Sequence, residues 1–124
     1  MNFSDNQSIY LQITELVKER ILLRTWKEDE KIPSVRDLAA ELQVNPNTVM
    51  RAYDILQHEG VINNKRGLGN YVSKDAEEKI LISRKERFLQ SELPAFFRNL
   101  SLLNIGFDEM ELLYKKFTEE NHKH

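Results

Sequence analysis

No cysteine occurs in these 124 residues, which excludes a disulfide framework and thiolate chemistry and fits a reducing compartment. Glycine and proline are scarce, four and three residues, so each marks a break between elements rather than a flexible tract. No apolar run approaches the ~20 residues that span a bilayer. The opening Met1-Asn2-Phe3-Ser4-Asp5-Asn6 has neither the basic region nor the apolar core of a signal peptide. A cytoplasmic protein with no membrane partner is expected. Histidine is limited to His58, His122 and His124. With no thiol and no evident nucleophile–base couple, the chain is not expected to be an enzyme, and no catalytic residue, metal or cofactor is assigned. His122-Lys123-His124 has metal-binding chemistry, but such a pair on a fraying terminus is ordinarily disordered.

What is present suits a folded, soluble protein: 40% hydrophobic and 31% charged residues. The net charge of −2 is uneven, because residues 1–74 balance and the whole deficit falls in residues 75–124. A nucleic-acid partner is judged by local charge, so the average excludes nothing.

Hydrophobic spacing predicts a first helix over about 8–25, with Ile9, Ile13, Leu16, Val17 and Ile21 on one stripe. A charged loop follows and closes at Ile32-Pro33. Ser34 then reads as an N-cap, with Asp37 three residues on as a short capping-box partner. Val35, Leu38, Ala39 and Leu42 define a second, short helix ending near Gln43. Asn45 caps a third helix, Pro46 suits its first position, and Val49, Ala52, Tyr53 and Leu56 form its inner stripe. Gly60 ends that helix. Two short strand-like pieces, 61–64 and 70–73, flank the basic turn Lys65-Arg66-Gly67-Leu68-Gly69. Three helices and a hairpin make a winged helix-turn-helix in residues 1–74, a mainly α fold with a small β-hairpin wing.

Two helices joined by so short a turn meet at a sharp angle, and in that arrangement the second enters the DNA major groove by its N-terminal end. Its outward residues are Asn47, Met50, Arg51, Asp54 and His58, with Asn45 and Thr48 at the entry. Arginine forks onto guanine or phosphate, asparagine pairs with adenine, and threonine meets phosphate or the thymine methyl. Free amides at the helix start favour phosphate as well. Read alone, Asn47 fits an ordinary first-turn residue equally well, and Arg51 fits a solvated side chain or a partner of Asp54. Arg36, on the helix that crosses the backbone, reaches a phosphate or pairs with Asp37. Lys65-Arg66-Gly67 fits minor-groove insertion or simply a solvated turn. A winged helix that contacts only proteins shares the core stripes but does not require the polar helix start or the basic wing.

From Asp75 onward the composition shifts, and residues 75–124 are predicted to be helical, interrupted at Pro94 and Gly106. Phe88, Phe96, Phe97, Phe107, Tyr114 and Phe117 lie in this tail. A segment this short is too small to enclose its own core. A two-fold interface with a second copy buries these aromatics, making the tail a dimerisation element. Packing back onto its own winged helix is the alternative.

Several of these segments together resemble the N-terminal domain of the GntR family. They are Ile9-Tyr10-Leu11-Gln12-Ile13, Lys31-Ile32-Pro33-Ser34-Val35-Arg36-Asp37-Leu38-Ala39, Asn45-Pro46-Asn47-Thr48-Val49, Arg51-Ala52-Tyr53, Glu59-Gly60-Val61-Ile62, Arg66-Gly67 and Tyr71-Val72. The resemblance covers residues 8–73 and implies DNA contacts from Arg36, from Asn45, Asn47 and Thr48, and from Arg66 and Gly67. The chain departs from the pattern at Met50, where many relatives carry arginine, and Arg51 is the next residue along. The short tail resembles that of the YtrA-like subgroup. That resemblance implies a homodimeric regulator of transcription on a double-stranded operator, membrane-transporter genes as targets, and no dedicated effector pocket.

Overall fold

The computed structural model describes residues 7–122, excluding the side chain of His122. It divides into two compact units, residues 1–83 and 84–124. In the first, α1 (Ile9–Leu22), α2 (Val35–Leu42) and α3 (Pro46–His58) precede β1 (Ile62–Lys65), β2 (Gly69–Val72) and α4 (Ala76–Arg87), whose last turn enters the second unit. The second continues through a π-helical turn (Phe88–Glu92), α5 (Leu93–Leu102) and α6 (Phe107–His122).

Local chemistry explains the boundaries. The Ser34 Oγ accepts a hydrogen bond from the Asp37 amide at 3.1 Å, and the Asn45 Oδ1 accepts one from the Asn47 amide at 2.8 Å. Each cap satisfies an amide that the first helical turn leaves without a partner. Between the two helices Gln43 adopts φ 57° and ψ 48°, the left-handed conformation that reverses the chain. Glycine reaches that region without a Cβ penalty. Gln43→Gly is therefore expected to raise stability by about 0.5 kcal/mol in urea unfolding, after the extra entropy of an unfolded glycine is deducted. Loss of stability would contradict the turn.

The core of the first unit is a single cluster. Leu38 and Ala39 from α2, Val49, Ala52, Tyr53 and Leu56 from α3, and Val61, Ile62 and Val72 around the hairpin are all buried. The stripes expected for α2 and α3 thus face inward, with Val35 and Leu42 partly covered at the margin. On α1 the buried face is rotated from the expected stripe. Ile13, Val17 and Ile21 are inside with Thr14 and Lys18, while Ile9 stays 44% exposed. Both polar intruders are satisfied: the Thr14 hydroxyl donates to the Leu11 carbonyl at 2.6 Å, and the Lys18 ammonium pairs with Glu59 at 3.1 Å. Burial of a polar group is costly only when such partners are missing.

The hairpin pairs antiparallel, Ile62 opposite Val72 and Lys65 opposite Gly69. Residues 29–32, expected as plain loop, run along the outer edge of β2. The Asp29 amide donates to the Val72 carbonyl, the Val72 amide to the Glu30 carbonyl, and the Ile32 amide to the Asn70 carbonyl, at 2.9–3.0 Å. Of residues 29–32 only Ile32 is apolar, so no alternation of side-chain type announces this pairing. Ala76 and Ile80 of α4 are also buried in this core.

In the second unit, the π turn closes with the Leu93 amide donating to the Phe88 carbonyl. It lies directly ahead of Pro94, whose ring removes a donor and clashes with the preceding turn of an α-helix. No described residue of this unit is buried.

Candidate nucleic-acid interface

Three segments of the first unit carry the expected DNA-contacting side chains. Arg36 sits in the first turn of α2 and is exposed, one residue from the carboxylate of Asp37. At the start of α3, Asn45 and Asn47 are exposed and Thr48 is half-buried. The Asn45 carbonyl oxygen is committed to the cap, but its amide group also carries donor hydrogens suited to a phosphate oxygen. The positive end of the α3 dipole lies at these residues.

Along α3 the polar and apolar sides separate cleanly. Val49, Ala52, Tyr53 and Leu56 are buried, whereas Asn47, Met50, Arg51, Asp54 and His58 are exposed. Tyr53 locks the helix in place: its hydroxyl donates to the Pro33 carbonyl, 2.7 Å away, just ahead of α2. Burial pushes the Tyr53 phenol well above the ordinary tyrosine range; nearby Arg20 opposes that shift, and Glu41 and Asp37 reinforce it. The phenol thus remains a donor at any physiological pH. The outer face is polar with one apolar member, Met50 at 49% exposure. Such a face has hydrogen-bonding groups for base edges and phosphates, and an apolar group for a thymine methyl.

Lys65, Arg66 and Gly67 are exposed at the hairpin turn. Gly67 has φ +79° with open space where a Cβ would stand, so the backbone conformation rather than crowding calls for glycine there. The Lys65 ammonium lies over the Tyr71 ring at 4.2 Å. Arg51 is similarly occupied, its guanidinium 3.9 Å from the centre of the Tyr10 ring on α1.

Sequence reasoning missed the residues that link these segments. The Gln57 Nε2 donates to the Asn70 Oδ1 at 2.8 Å, tying the end of α3 to β2 of the wing, one residue from its turn. Lys31 bridges to Tyr71 at the β2 edge, and its Cε would stand 3.0 Å from a Cβ added at Gly69. That places another cation beside the wing. Tyr10 and Lys31 stood out only as members of the motifs that carry the family resemblance, with no role assigned, and Gln57 carried no signal beyond being polar.

The aromatics assigned to self-association lie in the second unit and are all exposed, from 44% at Phe96 to 68% at Phe107. Phe88, Phe96, Phe97, Phe107 and Tyr114 line an apolar cleft of about 700 Å³. Phe117 lines a second one of about 360 Å³, which shares Phe96 and Tyr114 with the first.

Among the described residues no three His, Cys, Asp or Glu side chains gather as metal ligands, and no helix is long and apolar enough to cross a membrane. The side chains of the terminal His122-Lys123-His124 lie outside the described residues, as does the 1–6 segment.

Comparison with known proteins agrees with this geometry. Residues 9–72 match the profile of bacterial regulatory proteins of the gntR family. The chain is 32% identical over 117 residues to YhcF of Bacillus subtilis (strain 168), an HTH-type transcriptional regulator, covering 94% of this chain and 95% of that one. It is 38% identical over 98 residues to YtrA of the same organism, an HTH-type transcriptional repressor, covering 76% and 75%. A solved GntR-family transcriptional regulator from Bacteroides thetaiotaomicron superposes with a TM-score of 0.82 at 44% identity, covering 92% of this chain and 99% of that one. The winged helix-turn-helix with its polar α3 face, and these similarities along nearly the whole chain, place the protein in the GntR family of bacterial transcriptional regulators.

Proposed function

We propose that the chain works in the cytoplasm as a homodimeric repressor that reads a palindromic operator, one α3 in the major groove of each half-site. The observation that carries this reading is the division of α3, whose inner stripe is wholly buried while Asn47, Met50 and Arg51 stand in solvent. In a two-fold dimer, two such helices meet successive major grooves about 34 Å apart. Arg36 and the α3 entry contact the lip and floor of the groove, and Lys65, Arg66 and Gly67 approach the flanking backbone or minor groove. The sign, repression, follows the similarity to YtrA, and transporter genes are the targets implied by the resemblance of the short tail to that of the YtrA-like subgroup. Work done this way is binding, not catalysis.

The second copy is supported by the tail. From Arg84 onward it exposes aromatics along two apolar clefts and buries none of its described residues. Large exposed apolar patches mark association surfaces.

Footprinting on the DNA upstream of its own gene, followed by a salt series, tests the reading. Arg36→Ala and Arg66→Ala are each expected to weaken operator binding about tenfold, as loss of a charge-assisted hydrogen bond does. Each also flattens the salt dependence, since fewer counterions are released. Thermal unfolding should be unchanged, because both side chains are exposed. Parent-like affinity in both variants would remove these residues from the interface, and salt-independent binding would favour a protein partner instead.

A further inference from the structure

Arg51 is the only lysine or arginine on α3. Its placement therefore decides where that helix offers an anion a full positive charge. A free arginine on a helix surface spreads over many rotamers, and holding it still on binding costs entropy. Here the guanidinium carbon lies 3.9 Å from the centre of the Tyr10 ring, the distance of direct stacking. Tyr10 is half-buried and packed against the hydrophobic core from the first turn of α1, so its ring is a fixed platform. Stacking engages only the face of the guanidinium. The N–H donors lie in its plane and point outward from its edge, where they match phosphate geometry.

We propose that Tyr10 is a positioning residue for DNA binding: its ring holds the Arg51 guanidinium so that the N–H edge meets a backbone phosphate beside the groove entered by α3. The inference rests on the reading of α3 as the groove helix and adds an element that α3 does not contain. It assigns Arg51 to a phosphate and not to a base, so its contribution is independent of operator sequence. The neighbouring Met50 and Asn47 are left to face the bases.

The experiment uses the full chain and a fluorescein-labelled synthetic duplex of arbitrary sequence, with affinity measured by anisotropy over a salt series. Arg51→Ala is expected to weaken binding about tenfold and to lower the salt slope by about one per protomer. Tyr10→Phe keeps the stacking ring and binds like the parent chain. Tyr10→Leu weakens binding about threefold, the loss expected for an exposed cation–π contact. In the Arg51→Ala background the same Tyr10→Leu change has no further effect. That vanishing separates positioning from a general loosening of α1, which would weaken both backgrounds equally. Equal losses in the two backgrounds, or no loss from Tyr10→Leu beside a real loss from Arg51→Ala, overturn the role of Tyr10 alone. Parent-like binding by Arg51→Ala overturns the inference together with the place of Arg51 in the interface.

Discussion

Phe97→Asp combined with Phe107→Asp is expected to give a monomer whose operator affinity falls by roughly 10²–10⁴-fold. Both side chains line the larger apolar cleft of the second unit and are 51% and 68% exposed. Ionised carboxylates at those positions rest easily in water but strongly oppose burial against a second apolar surface. The loss is large because a dimer binds its second half-site as an intramolecular event, and a monomer forfeits that advantage without losing any contact of its own. No core residue of the first unit comes from beyond Ile80, so the winged helix should keep its melting temperature. Sedimentation and anisotropy on the footprinted operator check the two halves of the claim. A double variant that still sediments as a dimer would place the self-association surface elsewhere.

Ile80→Ala is expected to destabilise the first unit by ~3 kcal/mol, through lost burial and the cavity left behind. For a domain of this size that lowers the melting temperature by roughly 15 °C. The reason is that α4 is more than a connector: Ile80 is 1% exposed and Ala76 fully enclosed, both within the cluster that supports α3. Leu81, the next residue, is 56% exposed, and Leu81→Ala should change stability by no more than about 0.5 kcal/mol. Truncation after Asp75 would therefore strip the core, whereas truncation after Ser83 leaves it whole. Calorimetry on the two point variants decides the matter, and equal melting temperatures would mean that α4 does not close this core.

Much of the fold was legible because its signals are local. Ser34 and Asn45-Pro46 announce helix starts through hydrogen bonds that span two or three residues, and Gly60 and Gly67 announce turns through φ values of +76° and +79°. The inner stripe of α3 needs only a helical period and a solvent boundary to be read. By elimination the same stripe leaves Asn47, Met50, Arg51, Asp54 and His58 outside, and all five are exposed. The tail was legible in a weaker sense. Its aromatics imply a surface to be covered, but their spacing does not reveal the two clefts they line.

Sequence alone determined where the helices begin, where they turn and which side of α3 is greasy, since each depends on neighbours a few positions away. Tertiary packing alone decided which distant groups meet: Lys18 with Glu59, Gln57 with Asn70, the backbone of 29–32 with β2, and Arg51 with Tyr10. A polar side chain that will find a partner across the fold has the same local pattern as one that will face water. Only the path of the whole chain tells the two apart.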